Sequence, residues 1–255
     1  MNFFAVSDKG KVRKINQDSY GGFVADSGLG FFIVADGMGG HNAGEVASAV
    51  AVDAFVKGAE NNHGIKTIEK AAEFIRNTFR RANDIILYKA AADVTKIGMG
   101  TTAVAAVVAD DKIIIGNLGD SRAYFISGYK IKQITEDHSY VGQLLKAGSI
   151  KEEEARVHPR RNEITRALGI ESYFEPDMFE IEYKAGDVLL LCSDGLDKMV
   201  EDSKILEIVL KEKEPKDLCQ QLIDAANDEG GMDNITASKD SEHSWSGASK
   251  RSRPD

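Results

Sequence analysis

The residues in this chain best placed to do chemistry are aspartates set beside glycines at the ends of apolar runs. Asp36-Gly37 follows Phe31-Phe32-Ile33-Val34-Ala35, Gly119-Asp120 follows a β-prone run, and Asp194-Gly195 follows another that ends at Cys192. Asp233 comes after the pair Gly230-Gly231, and Asp18 closes the polar loop that begins near Arg13. An Asp at a strand end is held on a rigid element. Adjacent glycines let the backbone turn tightly and leave carbonyl oxygens uncrowded. Carboxylate and bare carbonyl oxygens together suit a hard cation such as Mg²⁺ or Mn²⁺. The plainer reading of any single Asp-Gly is a turn; the recurrence is what asks for more. If the carboxylates converge, their mutual repulsion requires a cation between them. Two cations bridged by one carboxylate would hold a water whose pKa falls far enough to give hydroxide at neutral pH. Such a centre hydrolyses phosphate esters in line, without a covalent enzyme intermediate.

The elements that must position these residues follow from periodicity. Asn2–Asp8 reads as a first strand, 9–18 as a polar loop, and Gly28–Ala35 as a buried strand with Asp36 at its end. Gly44–Lys57 carries Val46, Ala47, Val50, Ala54 and Phe55 at helical spacing, and 61–64 is a turn. Thr67–Ala92 is a long amphipathic helix whose stripe of Ile68, Ala71, Ala72, Ile75, Phe79, Ala82 and Ile86 is core packing. After Gly98-Met99-Gly100 the pattern changes to short strands over 101–109, 112–117, 121–127 and 129–134, read as one antiparallel meander. Short helices are expected over 140–147 and 151–155, then an Arg-rich loop over 158–169. Strands follow over 174–183 and 187–192, and helices over 203–211 and 215–229, with Pro215 in the first turn of the last.

Composition limits the function classes. A chain of 255 residues with 42% hydrophobic residues can bury a sizeable core. A formal net charge of −9 offers no basic excess for a phosphate backbone, so nucleic acid is not an expected partner. No apolar run has the length of a membrane span, and the N-terminus lacks a signal-peptide pattern. Cys192 and Cys219 lie in apolar settings without CxxC spacing and read as two buried, reduced thiols of a cytoplasmic protein.

With these residues in hand, the chain resembles the metal-dependent protein serine/threonine phosphatases, the PPM or type 2C family, in their compact bacterial form. The matching stretches are Arg13–Ser19, Val34–His41, Gly100–Thr102, Gly116–Arg122, Asp137–Ser139, His158–Gly169, Cys192–Leu196 and Gly230–Thr236, in family order over roughly residues 1 to 236. The resemblance implies an α+β fold, a four-layer α/β/β/α sandwich of two antiparallel sheets flanked by helices. It implies hydrolysis of phosphoserine and phosphothreonine in proteins through a metal-bridging hydroxide, with two catalytic Mn²⁺ or Mg²⁺ ions and a third, weaker one. Asp36 should bridge the two catalytic ions. The Gly37 carbonyl completes the first site, and Asp194 and Asp233 the second. Asp18 should hold metal-bound waters from outside, and Asp120 with Asp194 matches the position of the third ion. Arg13 matches the guanidinium that grips the substrate phosphate, so Asp36, Arg13 and Asp18 are the expected catalytic residues. Asn234 should orient Asp233 through its side-chain amide or the turn, and 141–169 corresponds to a flap beside the site. The expected partners are phosphorylated proteins made by a Ser/Thr kinase, met by a cytoplasmic monomer.

The remaining polar residues have plainer readings. His41 stands four residues beyond Gly37 and reads as a turn or helix-entry residue as readily as a general acid; Met38 occupies the position where relatives outside the bacterial group carry a His. His138 and His158 read as structural. Arg160, Arg161 and Arg166 either meet the phosphoprotein or are solvated flap charges, and Glu152-Glu153-Glu154 reads as a solvated helix face. The alternative to an active enzyme is a catalytically weak regulatory or phosphoprotein-binding module on the same fold. A phosphodiesterase acting on nucleotides is disfavoured by the acidic charge. The C-terminus departs from the family: 237–255 is rich in Ser and charge where relatives place a β-branched strand, and is expected to be an irregular, disordered tail.

Overall fold

Alternation in one strand sets up the layers. In β3 (Gly30–Met38), Phe31, Ile33 and Ala35 pack with the buried faces of two helices, while Phe32 and Val34 pack against residues of a second sheet. Successive side chains of a strand leave opposite faces, so Asp36 belongs to the Phe32 and Val34 face, the one turned toward the second sheet. The computed structural model describes residues 2–25, 28–39, 43–61, 65, 67–109, 111–212 and 214–241.

The sheet of β3 runs β2 (Asp18–Val24), β3, β5 (Ala103–Ala109), β6 (Lys112–Leu118) and β9 (Asp177–Glu182), with the short β4 (Gly100–Thr101) paired to the end of β3. The second sheet runs β1 (Asn2–Asp8), β11 (Ile235–Ser241), β10 (Val188–Cys192), β7 (Arg122–Ser127) and β8 (Lys130–Gln133). Every pairing is antiparallel. The sheets face each other across a layer that includes Phe32, Val34, Val104, Ile115, Leu189 and Leu191, where Phe3 stacks on Phe32 at 4.8 Å. Helices α1 (Gly44–Glu60) and α2 (Ile68–Ala92) cover the outer face of the β3 sheet, with the Phe74 ring edge-on to Phe31. On the other outside lie α6 (Asp202–Lys211), which buries Ile205 and Ile208, and α7 (Pro215–Asp228), which buries Leu218, Leu222 and Ile223, in one cluster with Leu190 and Ile235. Each such side chain contributes about 1.5–3 kcal/mol on burial. The expected four-layer sandwich is therefore the fold. The connection from β8 to β9 carries α3 (Tyr140–Lys146) and α4 (Glu152–Val157), and α5 (Asp194–Asp197) is one helical turn after β10. Among the described residues no helix is long and apolar enough to cross a membrane.

Several expectations need correction. Strand β2 has no counterpart in the periodicity reading, because Gly21 and Gly22 dilute its signal. They are there for contact: a Cβ on Gly21 would lie 2.7 Å from Val52 and Val56 of α1, and one on Gly22 would lie 2.4 Å from the Phe3 ring. The expected single meander is two hairpins in different sheets, since the chain leaves one sheet at Leu118 and enters the other at Arg122. Strand β3 does not end at Asp36; Gly37 and Met38 continue it, paired with Thr101 and Gly100.

The segment expected to be irregular from Ala237 is strand β11 as far as Ser241, lying between β1 and β10 with its backbone paired on both sides. Ladder hydrogen bonds do not depend on side-chain polarity, and Ala237, Ser238 and Lys239 are buried there. The rest of that expected tail, 242–255, lies outside the described residues, as do Gly40 and His41.

Candidate metal centre

The antiparallel order brings the five aspartates to one end of the inter-sheet layer. Asp18 opens β2 and Asp36 closes the long part of β3; the two are register partners. Asp120 follows the end of β6, Asp194 follows the end of β10, and Asp233 precedes the start of β11. The switch of the chain from one sheet to the other at 119–121 is what brings Asp120 here.

The backbone around Asp36 is clamped. Its N–H donates to Thr102 Oγ1 at 2.9 Å, and its carbonyl accepts from Thr101 Oγ1 at 2.8 Å and from the Thr102 N–H at 2.9 Å. The Gly37 N–H donates to the Gln17 carbonyl at 3.1 Å. A side chain on Gly37 would place Cβ 2.2 Å from the Gly44 carbonyl, so only glycine lets β3 run against the start of α1. Gly195 is bound in the same way: its Cβ would lie 2.0 Å from the Asn234 carbonyl, so the backbones of the turns carrying Asp194 and Asp233 lie in contact.

Asp18 Oδ2 accepts from Ser193 Oγ at 2.6 Å and from Thr236 Oγ1 at 2.7 Å. Ser193 also accepts the Thr236 N–H at 2.9 Å. These two hydroxyls thus tie Asp18 of one sheet to the strand ends that bear Asp194 and Asp233 in the other. Neither hydroxyl is among the expected site residues; their adjacency to Asp194 and Asn234 is the only signal the sequence holds for them.

Asp233 accepts the Asn234 N–H at 2.9 Å through Oδ1 and the Arg13 guanidinium at 2.6 Å through Oδ2. Asn234 therefore meets Asp233 through the turn. Its side chain does something else: Nδ2 donates to the Lys9 and Ile15 carbonyls at 2.9 and 3.0 Å, and Oδ1 accepts the Gln17 N–H at 2.8 Å. It pins the whole 9–17 loop, and with it Arg13, to the cleft. Lys198, unremarked in the sequence reading, pairs with Asp194 and, at 3.4 Å, with Asp120 Oδ2.

Among the described residues four carboxylate oxygens remain buried without a hydrogen-bond partner: Asp18 Oδ1, Asp120 Oδ1 and Asp194 Oδ1 in the cleft, and Asp197 Oδ1, whose other oxygen pairs with Arg122 at 3.0 Å. Withdrawal from water pushes the Asp18 carboxyl up to about 7, against the pull of Ser193 and Thr236, and Asp194 and Asp233 add repulsion. Burial, then repulsion from Asp194, takes Asp120 up to about 7 as well. Burial and the facing Asp18 hold Asp36 well above the usual carboxylate range. The carboxylates are spread along the cleft: among the described residues no three His, Cys, Asp or Glu side chains meet as a ready-made metal cage.

The outlying candidates are engaged elsewhere. His138 accepts the Gly119 N–H through Nδ1 at 3.0 Å and meets Asp177 through Nε2 at 3.1 Å; burial lowers its pKa, so it stands neutral and holds the turn before Asp120. Arg166 pairs with Asp177 at 2.8 Å. Arg160 is bidentate to Glu163 and stacks 3.5 Å over the Tyr140 ring, beside His158. Arg161 is exposed. Glu152, Glu153 and Glu154 form the solvated first turn of α4, and Glu154 caps it by accepting the Lys151 N–H at 2.8 Å. Cys192 and Cys219 are buried free thiols.

The chain is similar to known proteins over most of its length. Residues 13–235 match the family described as protein phosphatase 2C. The serine/threonine phosphatase Stp of Listeria monocytogenes is 40% identical over 230 residues, covering 90% of this chain and 91% of its own. The crystal structure of the serine/threonine phosphatase Stp1 from Staphylococcus aureus superposes with a TM-score of 0.88 at 36% identity, over 95% of each chain. The catalytic domain of the serine/threonine protein phosphatase PstP, solved with two manganese ions, superposes with a TM-score of 0.82 at 35% identity, over 93% of this chain and 96% of that one.

Proposed function

Since the chain belongs to the protein phosphatase 2C family, and is thereby a serine/threonine protein phosphatase, we propose that its aspartate cleft holds two divalent cations, Mn²⁺ or Mg²⁺, and uses them to hydrolyse phosphoserine and phosphothreonine in proteins. The observation that carries the reading is the pair of buried, unpartnered oxygens on Asp18 and Asp194 beside Asp36. Buried carboxylate oxygens without donors cost stability, and an all-oxygen donor set with a nearby backbone carbonyl is what a hard cation takes. The relative solved with two manganese ions supports the same reading.

In this reading Asp36, the Gly37 carbonyl, Asp194 and Asp233 would hold the two ions. The chemistry such a pair would supply when bound is activation of water as a nucleophile at neutral pH. Asp18 orients water from the outer shell, fixed in its rotamer by the Ser193 and Thr236 hydroxyls. Arg13 stands at the mouth of the cleft, where its side chain is 52% exposed. A phosphoryl group entering there exchanges Asp233 for two phosphate oxygens as the partner of the guanidinium fork. Asn234 keeps that loop in place. The substrates are phosphoproteins made by Ser/Thr kinases.

The test is phosphate release from a phosphothreonine peptide with Mn²⁺, with Mg²⁺ and with excess EDTA. Turnover with either metal and none in EDTA is expected. Full activity in EDTA would refute the two-ion mechanism. Peptide binding without any turnover in Mn²⁺ would instead favour the regulatory module.

A further inference from the structure

Lys198 follows the helical turn α5 and folds back over it. Its ammonium pairs with Asp194 four residues earlier, lies 3.4 Å from Asp120 Oδ2, and lies 3.4 Å from Asn162 Oδ1 of the flap. The two carboxylates it joins are deeply buried, with side chains 4% and 11% exposed, and come from different sheets. The lysine side chain is itself only 28% exposed, against 52% for Arg13 at the mouth.

The family resemblance assigns a third divalent cation to the space between Asp120 and Asp194. An ammonium is a compact point charge with three donors, and here those donors have three oxygens to serve. A divalent ion entering the same space would meet that positive charge at contact distance and would have to displace it from both carboxylates.

We infer that Lys198 takes the place of the third divalent cation, so that the centre holds two ions and an internal ammonium, with the flap tied to that ammonium through Asn162. The inference rests on the two-ion reading above. Asp194 keeps Oδ1 for the second catalytic ion while Oδ2 serves the lysine, so the two-ion centre and the ammonium are compatible. The flap connection is anchored where Thr101 and Leu168 pair, and again where Ser139 and Ile164 pair. Asn162 lies two residues before Ile164, inside the loop that the Ser139 and Ile164 pair closes, and reaches the centre through Lys198. A plain structural salt bridge would be consistent with the contacts to Asp194 and Asp120, but its removal would leave the number of bound ions unchanged.

The experiment counts Mn²⁺ on the full chain by the paramagnetic resonance of the free ion, for wild type, Lys198→Gln and Lys198→Arg, with circular dichroism to verify folding. Wild type and Lys198→Arg should saturate at two ions. Lys198→Gln should take up a third, with affinity roughly tenfold or more above any third site in the wild type, the factor attached to a charged hydrogen-bond pair. Three ions on the wild type with the same third affinity as on Lys198→Gln would overturn the inference while leaving the two-ion reading intact. Fewer than two ions on the wild type would overturn the two-ion reading and this inference with it. If Lys198→Gln fails to fold, Lys198→Met stands in for it: a gained third ion supports the inference, and a third affinity equal to the wild type's overturns it.

Discussion

Asp18 and Asp36 stand directly opposite each other on neighbouring antiparallel strands, so their carboxylates leave the same face of the sheet side by side. Like charges at such a pair oppose folding, by roughly 0.2–1 kcal/mol. Asp36→Asn removes one of them. In chelator at pH 8 the variant should melt higher than wild type, by about 1–4 °C for a domain of this size. It should lose the rise in melting temperature that Mn²⁺ gives the wild type, and more than about a hundredfold in turnover, beyond what loss of an outer-shell partner costs. Paired melting curves and a phosphopeptide assay decide; near wild-type turnover would remove Asp36 from the centre.

The pH dependence has a definite sign. Asp18 and Asp120 titrate near 7 in the folded chain, above the ordinary carboxylate value near 3.8. Between those values the folded state binds more protons than the unfolded one, so in chelator stability should fall as pH rises from about 4 to about 7. Cations must displace those protons, so Mn²⁺ affinity should fall as pH drops below 7. Calorimetry in two buffers of different ionisation enthalpy should report proton release on Mn²⁺ binding at pH 6.5; zero release would contradict the assignment.

Arg13 pairs with Asp233 in the half-exposed mouth of the cleft. Arg13→Ala should raise KM and lower kcat/KM roughly tenfold to a hundredfold, as expected for a charged hydrogen-bond pair of about 1.5–3 kcal/mol. If Asp233 holds the second ion, the guanidinium competes with that ion for it, and Mn²⁺ affinity should hold or rise. Loss of Mn²⁺ binding would show that Arg13 orders the metal site itself.

Ser193 joins Asp18 to the start of β11. Ser193→Ala removes a donor from Asp18 and an acceptor from the Thr236 N–H, so Mn²⁺ affinity should fall about 10–100-fold. The Asp18 titration should also move up, since the hydroxyl favours the charged form. An unchanged Mn²⁺ titration would make this hydroxyl a packing group only.

Strand β11 lies between β1 and β10 and carries the ladder to Ser241. The folded unit therefore runs past Thr236, at least to Ser241. A chain stopped after Thr236 leaves two strands without their shared neighbour and should be several kcal/mol less stable than a chain stopped after Ser241, at about 2–4 °C for each. Equal melting of the two truncations would place the boundary back at Thr236.

What the sequence by itself determined is local. The apolar run before Asp36, the stripe from Ile68 to Ile86 and the Asp-Gly pairs are each properties of neighbours along the chain, and they carry the helices, most strands and the list of acidic candidates. The ordered motifs extended this to the sandwich and to the roles implied for Asp36, Asp194 and Asp233. Tertiary structure decided what depends on partners far apart in sequence. Gly21 and Gly22 form a strand because Val52, Val56 and Phe3 fill the space that side chains would need. Ala237–Ser241 forms one because two strands already offer it hydrogen bonds, whatever its polarity. Ser193 and Thr236 reach Asp18 across 175 and 218 residues. Lys198 is a surface residue by composition and a cleft cation by position, because charge placement follows from where β6 and β10 end, and no local pattern encodes the meeting of two sheets.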